Sequence, residues 1–175
     1  MGRSELTFIS GGARSGKSAW AEHLVLTQAE HPVYLATASV TDAEMEARIS
    51  KHREDRNSRF RLIEEQTDLI KALPKQGAVL LDCLTIWTAN LLYQQHNSEH
   101  DVIDAVTALL DEARRRELML TIVSNDVNES VLPRAEEVHR YVRVLEAAHR
   151  QLVKRADHVY QVQAGMPVCW KGSPL

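Results

Sequence analysis

Leu6-Thr7-Phe8-Ile9-Ser10 runs directly into Gly11-Gly12-Ala13-Arg14-Ser15-Gly16-Lys17-Ser18, and the reading of this stretch decides the fold. The first five residues are short, apolar-alternating and β-prone, which predicts a strand. The next eight match G-x-x-x-x-G-K-[ST], the phosphate-binding loop. Beyond them Ala21, Leu24, Val25 and Gln28 recur at helical spacing within 19–30. Strand, glycine loop and helix are the context the motif requires. A plain glycine-rich turn ahead of a helix is the competing reading.

The residue types suit a polyphosphate, which carries several negative charges in a small volume. Gly11, Gly12 and Gly16 let the backbone wrap closely with its N–H groups turned inward. The helix N-terminus adds the positive end of its dipole. Lys17 is expected to reach the β- and γ-phosphates, and the Ser18 hydroxyl to serve Mg²⁺.

The 175 residues suit a single nucleotide-binding domain spanning 1–175, long enough to bury a full core. A net charge of -3 and few aromatics give no footprint for nucleic acid. No apolar run approaches the roughly 18 residues of a membrane span, and Met1-Gly2-Arg3-Ser4-Glu5 lacks a signal-peptide layout. Cys83 and Cys169 are isolated, without metal spacing or a disulfide framework. These features predict a cytoplasmic protein without a membrane span.

Along the chain, 32–38 reads as a second strand entering a small-residue turn. Thr41-Asp42-Ala43-Glu44 has the form of a capping box opening a helix to about Arg56. A short extended piece, 60–64, precedes a helix at 68–73 that Pro74 stops. Ala78-Val79-Leu80-Leu81-Asp82 is a continuous apolar run ending in an acid, the pattern of a strand buried on both faces. An Asp there is placed to organise Mg²⁺ beside the phosphate loop. It can equally cap the helix expected at 84–95. A polar turn over 94–100, a helix at 102–117, a strand at 118–124 and a loop at 125–133 follow. A long helix at 136–156 carries Val138, Val142, Leu145, His149 and Leu152 as its inner stripe. The segments 159–163 and 166–170, joined by Ala164-Gly165, read as a β-hairpin. Strands alternating with helices predict an α/β fold of the P-loop NTPase, RecA-like type: a mostly parallel sheet with helices on both faces and a C-terminal antiparallel hairpin.

His52 lies near the end of its expected helix among Lys51, Arg53, Arg56 and Arg59. Basic neighbours suit phosphates and favour the neutral imidazole that a nucleophile requires. A histidine serving a helix C-terminus beside solvated charges is the plainer alternative.

The chain resembles the bifunctional adenosylcobinamide kinase / adenosylcobinamide-phosphate guanylyltransferase family of cobalamin biosynthesis. The matching stretches are the phosphate loop, Tyr34-Leu35-Ala36-Thr37-Ala38, Asp42-Ala43-Glu44-Met45 with Arg48-Ile49, His52 and Arg56, Leu81-Asp82-Cys83-Leu84-Thr85 with Asn90-Leu91, and Val123-Ser124-Asn125. Ala156-Asp157 and Gly165-Met166-Pro167 also fit. The Glu-Met-x-x-Arg-Ile-x-x-His stretch is far more specific than the loop.

The resemblance implies that His52 takes GMP from GTP, forming a phosphoramidate and releasing pyrophosphate. It places Gly11, Gly12, Ala13, Arg14, Ser15, Gly16, Lys17, Ser18, Ala36, Thr37, Ala38, Arg53, Glu54, Asp55, Arg56, Glu64 and Asp82 along the nucleotide. His52 and Lys17 are the expected catalytic residues, and Ser18 and Asp82 the expected metal ligands, with Mg²⁺ as cofactor and GTP and ATP as substrates. The implied partners are adenosylcobinamide and its phosphate, in a homo-oligomer. The chain departs from the family's pattern after Asn125, where Asp126-Val127-Asn128-Glu129-Ser130 replaces Glu-Val-Gly-x-Gly. Readings that compete with the resemblance are a kinase or nucleotidyltransferase for another alcohol or phosphate, and a non-catalytic nucleotide-binding module.

Overall fold

A computed structural model describes residues 4–38, 59–127 and 135–173. The expected helix over 41–56, with His52, Lys51, Arg53 and Arg56, lies outside the described residues, as do Asn128 and Ser130.

One seven-stranded sheet organises the chain, in the order β3-β2-β4-β5-β1-β6-β7. The strands are β1 (Glu5–Gly11), β2 (Val33–Ala36), β3 (Arg61–Glu64), β4 (Ala78–Asp82), β5 (Met119–Asn125), β6 (His158–Gln163) and β7 (Met166–Lys171). Every pairing is parallel except β6 with β7, which is antiparallel. The helices are α1 (Lys17–Gln28), α2 (Leu69–Ala72), α3 (Leu84–Ala89), α4 (Glu99–Arg115) and α5 (Glu136–Arg155). This is the expected doubly covered, mostly parallel sheet with a terminal hairpin.

Alternation along each strand divides the interior into two cores. Phe8, Leu35, Leu81 and Ile122 face α3, α4 and α5, where Trp87, Leu109, Leu145 and Leu152 meet them. Ile9, Tyr34, Leu80 and Val123 turn the other way, towards Ala21, Leu24 and Val25 of α1. A central strand with both faces covered has no polar side to display, so β4 reads as an apolar run up to Asp82, and β5 is buried from Leu120 to Ser124. Asp157 ties the sheet's start to its end. Its Oδ2 accepts from Leu6 N at 2.8 Å and from Arg114 Nη2 at 2.7 Å.

Several boundaries differ from the sequence-based expectations, each for a local reason. Helix α1 begins at Lys17, not Ala19, because Gly16 takes a left-handed conformation (φ 87°) and turns the chain directly into the first helical turn. Helix α4 begins at Glu99 because Ser98, inside the expected polar turn, forms a reciprocal capping box with Asp101 just beyond it. Strand β2 ends at Ala36 because Thr37 is drawn into a cross-strand clamp. The helix expected over 84–95 is α-helical only to Ala89 and continues as a π-helical segment, Asn90–Gln94. There the Asn90 amide donates to Thr37 O at 2.9 Å and to Gln66 O at 3.0 Å. Among the described residues no helix is long and apolar enough to cross a membrane.

Candidate nucleotide site

The parallel strands end along one edge of the sheet, and the loop 11–18 leaves that edge from β1. Gly11 is the last residue of β1, in register with Asn125 of β5. A Cβ at Gly11 would lie 2.6 Å from Ser15 Oγ and 2.7 Å from Val162 O, so only glycine fits there. The loop closes on itself through Ser15 N donating to Gly12 O at 3.2 Å. Arg14 takes a positive φ of 59° and Ala13 and Arg14 are exposed.

Lys17 is buried to 8 % exposure, unusual for a lysine. Its Nζ donates to Gly12 O at 3.1 Å, folding the side chain back across the loop. An ammonium has three donors, and this contact uses one. The first turn of α1 contains no acidic residue, so nothing there offsets the positive end of the helix dipole. Ser18 sits half-buried in that same turn.

Asp82 ends β4, with β5 lying between it and the loop strand β1. It is half-buried, and its Oδ2 accepts from the Tyr34 hydroxyl. The Asp82–Cys83 peptide is cis. Burial pushes the Cys83 thiol up to about 11, the Asp82 charge pushes it the same way, and the Lys17 ammonium pulls against both. Lys17 and Asp82 therefore act on the same buried thiol from opposite sides of the charge balance. The helix-cap alternative for Asp82 is not what the chain uses, since Cys83 is the N-cap of α3 and no side chain caps it.

Ser18 and Asp82 are hard oxygen donors, as Mg²⁺ prefers. Mg²⁺ keeps several waters and takes one or two protein oxygens together with substrate phosphates. No group of three or more His, Cys, Asp or Glu side chains able to hold a metal occurs among the described residues. The donor set fits an ion held largely by phosphate rather than by a protein cage.

Thr37, expected along the nucleotide, has its hydroxyl engaged with the neighbouring strand end. It is fully buried. Its hydroxyl donates to Cys83 O at 2.9 Å and accepts from Cys83 N at 3.0 Å, while its own N donates to Asp82 O at 3.3 Å. Thr37 thus fastens the end of β2 to the end of β4 and fixes the backbone at Asp82. Ala36 stands in register with both Asp82 and Glu64. Ala38 and Glu64 line an open cleft of about 520 Å³ with Glu65, Gln66, Thr67, Gln94 and Gln95. Glu65 Oε1 accepts from the backbone N–H groups of Thr67 and Asp68, which holds its carboxyl below the usual range.

The sequence alone did not reveal the network on the other side of Asp82. Thr85 Oγ1 lies 3.1 Å from Ser124 Oγ and accepts from Asn125 N at 2.8 Å. Ser124 Oγ lies 2.7 Å from His149 Nε2. Burial drives His149 down to about 4, opposed only by the Asp126 carboxylate, so its ring is neutral near pH 7. His149 had signalled itself only as part of the inner stripe of α5.

The chain matches the family model described as cobinamide kinase / cobinamide phosphate guanyltransferase over residues 7–170. A Pseudomonas aeruginosa relative, the bifunctional adenosylcobalamin biosynthesis protein CobP, is 36% identical over 175 residues, covering 95% of this chain and 98% of its own length. The Salmonella typhimurium bifunctional adenosylcobalamin biosynthesis protein CobU is 29% identical over 178 residues, with 93% and 98% covered. Among solved structures, the KaiC-like protein PH0186 from Pyrococcus horikoshii superposes with a TM-score of 0.60 at 10% identity, covering 97% of this chain and 80% of that one. That likeness is one of fold, and it is the RecA-like P-loop fold expected from the sequence. With the family model spanning nearly its whole length, the chain belongs to the cobinamide kinase / cobinamide phosphate guanyltransferase family.

Proposed function

We propose that the protein phosphorylates the aminopropanol hydroxyl of adenosylcobinamide and then transfers GMP from GTP to the resulting phosphate, giving adenosyl-GDP-cobinamide. The observation that carries the nucleotide half is the buried Lys17 folded over Gly12 at the start of a helix whose first turn holds no acid, on the same sheet edge as Asp82. Family membership and the bifunctional relatives support the acceptor.

In this reading the loop N–H groups and Lys17 hold the triphosphate. Ser18 and Asp82 hold Mg²⁺, which neutralises charge developing on the transferred phosphoryl group. ATP or GTP supplies the γ-phosphoryl group for the first step. In the second, a neutral His52 nitrogen attacks the α-phosphorus of GTP. A P–N bond forms, the bond from the α-phosphorus to its bridging oxygen breaks, and pyrophosphate leaves. An oxygen of adenosylcobinamide phosphate then displaces the histidine. The role of His52 rests on its place in the Glu-Met-x-x-Arg-Ile-x-x-His stretch and on its basic neighbours.

Incubation with α-labelled and γ-labelled GTP, followed by denaturing analysis, tests this. The α-label is expected to remain on the protein, acid-labile and base-stable as a P–N bond requires, and to be lost in His52→Ala. An acid-stable adduct, or full guanylyl transfer by His52→Ala, overturns the histidine assignment. Retention of ATP-dependent phosphorylation by His52→Ala is expected, because Lys17, Ser18 and Asp82 remain.

A further inference from the structure

The turn of the C-terminal hairpin lies against the phosphate loop. Ala164 and Gly165 both take positive φ, 49° and 79°, the backbone signature of a tight two-residue hairpin turn. Gly165 N donates to Ser15 O at 2.7 Å. A Cβ at Gly16 would stand 3.1 Å from Gly165 Cα, so the two segments are in close contact there. Two residues before the turn, Val162 O occupies the space where a Gly11 side chain would be. The hairpin therefore meets the loop at its first glycine and again at its last.

The hydrogen bond has a directional consequence. A trans peptide is planar, with its C=O and N–H pointing in opposite directions. Gly165 captures the carbonyl of the Ser15–Gly16 peptide. The N–H of Gly16 is thereby turned away from the hairpin, and it has no acceptor among the described residues. Inward-facing N–H groups are what a phosphate loop uses to hold its anion. Ser15 Oγ, buried beside the same contact, also has no partner among the described residues.

We infer that Gly165 is a positioning residue of the nucleotide site: by holding Ser15 O, the hairpin turn presets the Gly16 N–H for the triphosphate. The inference rests on the loop binding a nucleotide, as proposed above. Gly165 touches neither the phosphates nor the acceptor in this scheme and acts only through the loop. Its requirement is for the left-handed conformation, not for space, since no atom lies within 4 Å of where its Cβ would be. Asparagine tolerates that conformation, and a β-branched residue does not.

Full-length wild type, Gly165→Asn and Gly165→Val are titrated with a fluorescent GTP analogue and Mg²⁺, with unlabelled ATP as competitor, and their unliganded melting is recorded. Gly165→Val is expected to bind about tenfold more weakly, the scale of one displaced hydrogen bond. Gly165→Asn is expected to stay within about threefold of wild type. Should Gly165→Val not fold, Gly165→Ala carries the same test, with a smaller loss of about threefold. In the wild type, nucleotide is expected to slow exchange of the Gly165 amide. Equal weakening by Asn and Val, or a lowered melting temperature in Gly165→Val with wild-type affinity, overturns the inference. Failure of the wild type to bind any nucleotide overturns the nucleotide reading and this inference with it. Wild-type binding by Gly165→Val overturns this inference alone.

Discussion

Replacing Thr37 by valine tests the polar framework beneath Asp82. The two side chains are nearly isosteric, so the change removes a hydroxyl and little else. That hydroxyl meets both the N–H and the C=O of Cys83, at 3.0 and 2.9 Å, at a fully buried position. Each buried backbone group left without a partner costs about 1–3 kcal/mol. Cys83 O keeps the Trp87 N–H at 3.2 Å, so the Cys83 N–H alone is orphaned, and the loss amounts to about 2 kcal/mol. For a domain of this length that lowers the melting temperature by about 6 °C, taking roughly 3 °C per kcal/mol. Urea denaturation followed by circular dichroism measures the loss directly, with an unchanged m-value expected because the exposed surface is the same. Thr37→Ser keeps the hydroxyl and is expected to retain most of the stability. A loss below about 0.5 kcal/mol in Thr37→Val, or an equal loss in Thr37→Ser, refutes the clamp.

Lys17→Ala is expected to weaken triphosphate binding and turnover by about 100-fold, the scale of one charge-assisted phosphate contact in a water-poor site; near-native titration curves with ATP and GTP would refute the loop assignment. Asp82→Asn is expected to shift the Mg²⁺ dependence of turnover to higher concentration while leaving metal-free nucleotide binding close to wild type, and an unchanged Mg²⁺ titration reduces Asp82 to a partner for Tyr34. His149 makes stability depend on pH in a calculable direction. Its folded value of about 4 lies below the ordinary histidine value near 6.5, so the unfolded chain binds the extra proton between those two. Stability from this residue is complete above about pH 6.5 and falls towards pH 4, by about 3 kcal/mol in all. His149→Gln is expected to flatten that limb in stability measurements across pH 4–7, and an identical slope in both proteins counts against the assignment.

What was legible in the sequence follows from the range of each signal. The phosphate loop, the buried runs of β4 and β5 and the amphipathic stripe of α5 are local, because burial on one or two faces writes a period into adjacent residues. The hairpin announced itself through its turn residues in the same way. The start of α4 was legible in principle, in Ser98 and Asp101, but the surrounding polar residues masked the box. Thr37 with Cys83, Asn90 with Thr37 and Gln66, and Ser124 with His149 left no such trace. Each joins segments remote in sequence through one or two polar atoms. A Thr, Asn or Ser at a strand end looks the same whether it binds a ligand or the neighbouring strand.

The hydrogen bonds themselves separate these two uses. Along the sheet edge, Thr37, Thr85, Asn90 and Ser124 are buried and engaged with other protein groups. They fix backbone positions and are not open to a ligand through the same atoms. Lys17 differs, with one contact for three donors, as does the Gly16 N–H, turned away from the hairpin by the grip of Gly165 on Ser15. Among these described residues, the N–H donors with capacity to spare belong to the phosphate-loop motif. The residues already engaged hold the strand ends on which the loop and Asp82 are mounted. A polyphosphate entering this edge would therefore displace the Lys17–Gly12 contact and find the rest of the framework already set. That division is the physical reason for expecting binding losses from Lys17→Ala and stability losses from Thr37→Val, and each variant should show little of the other's effect.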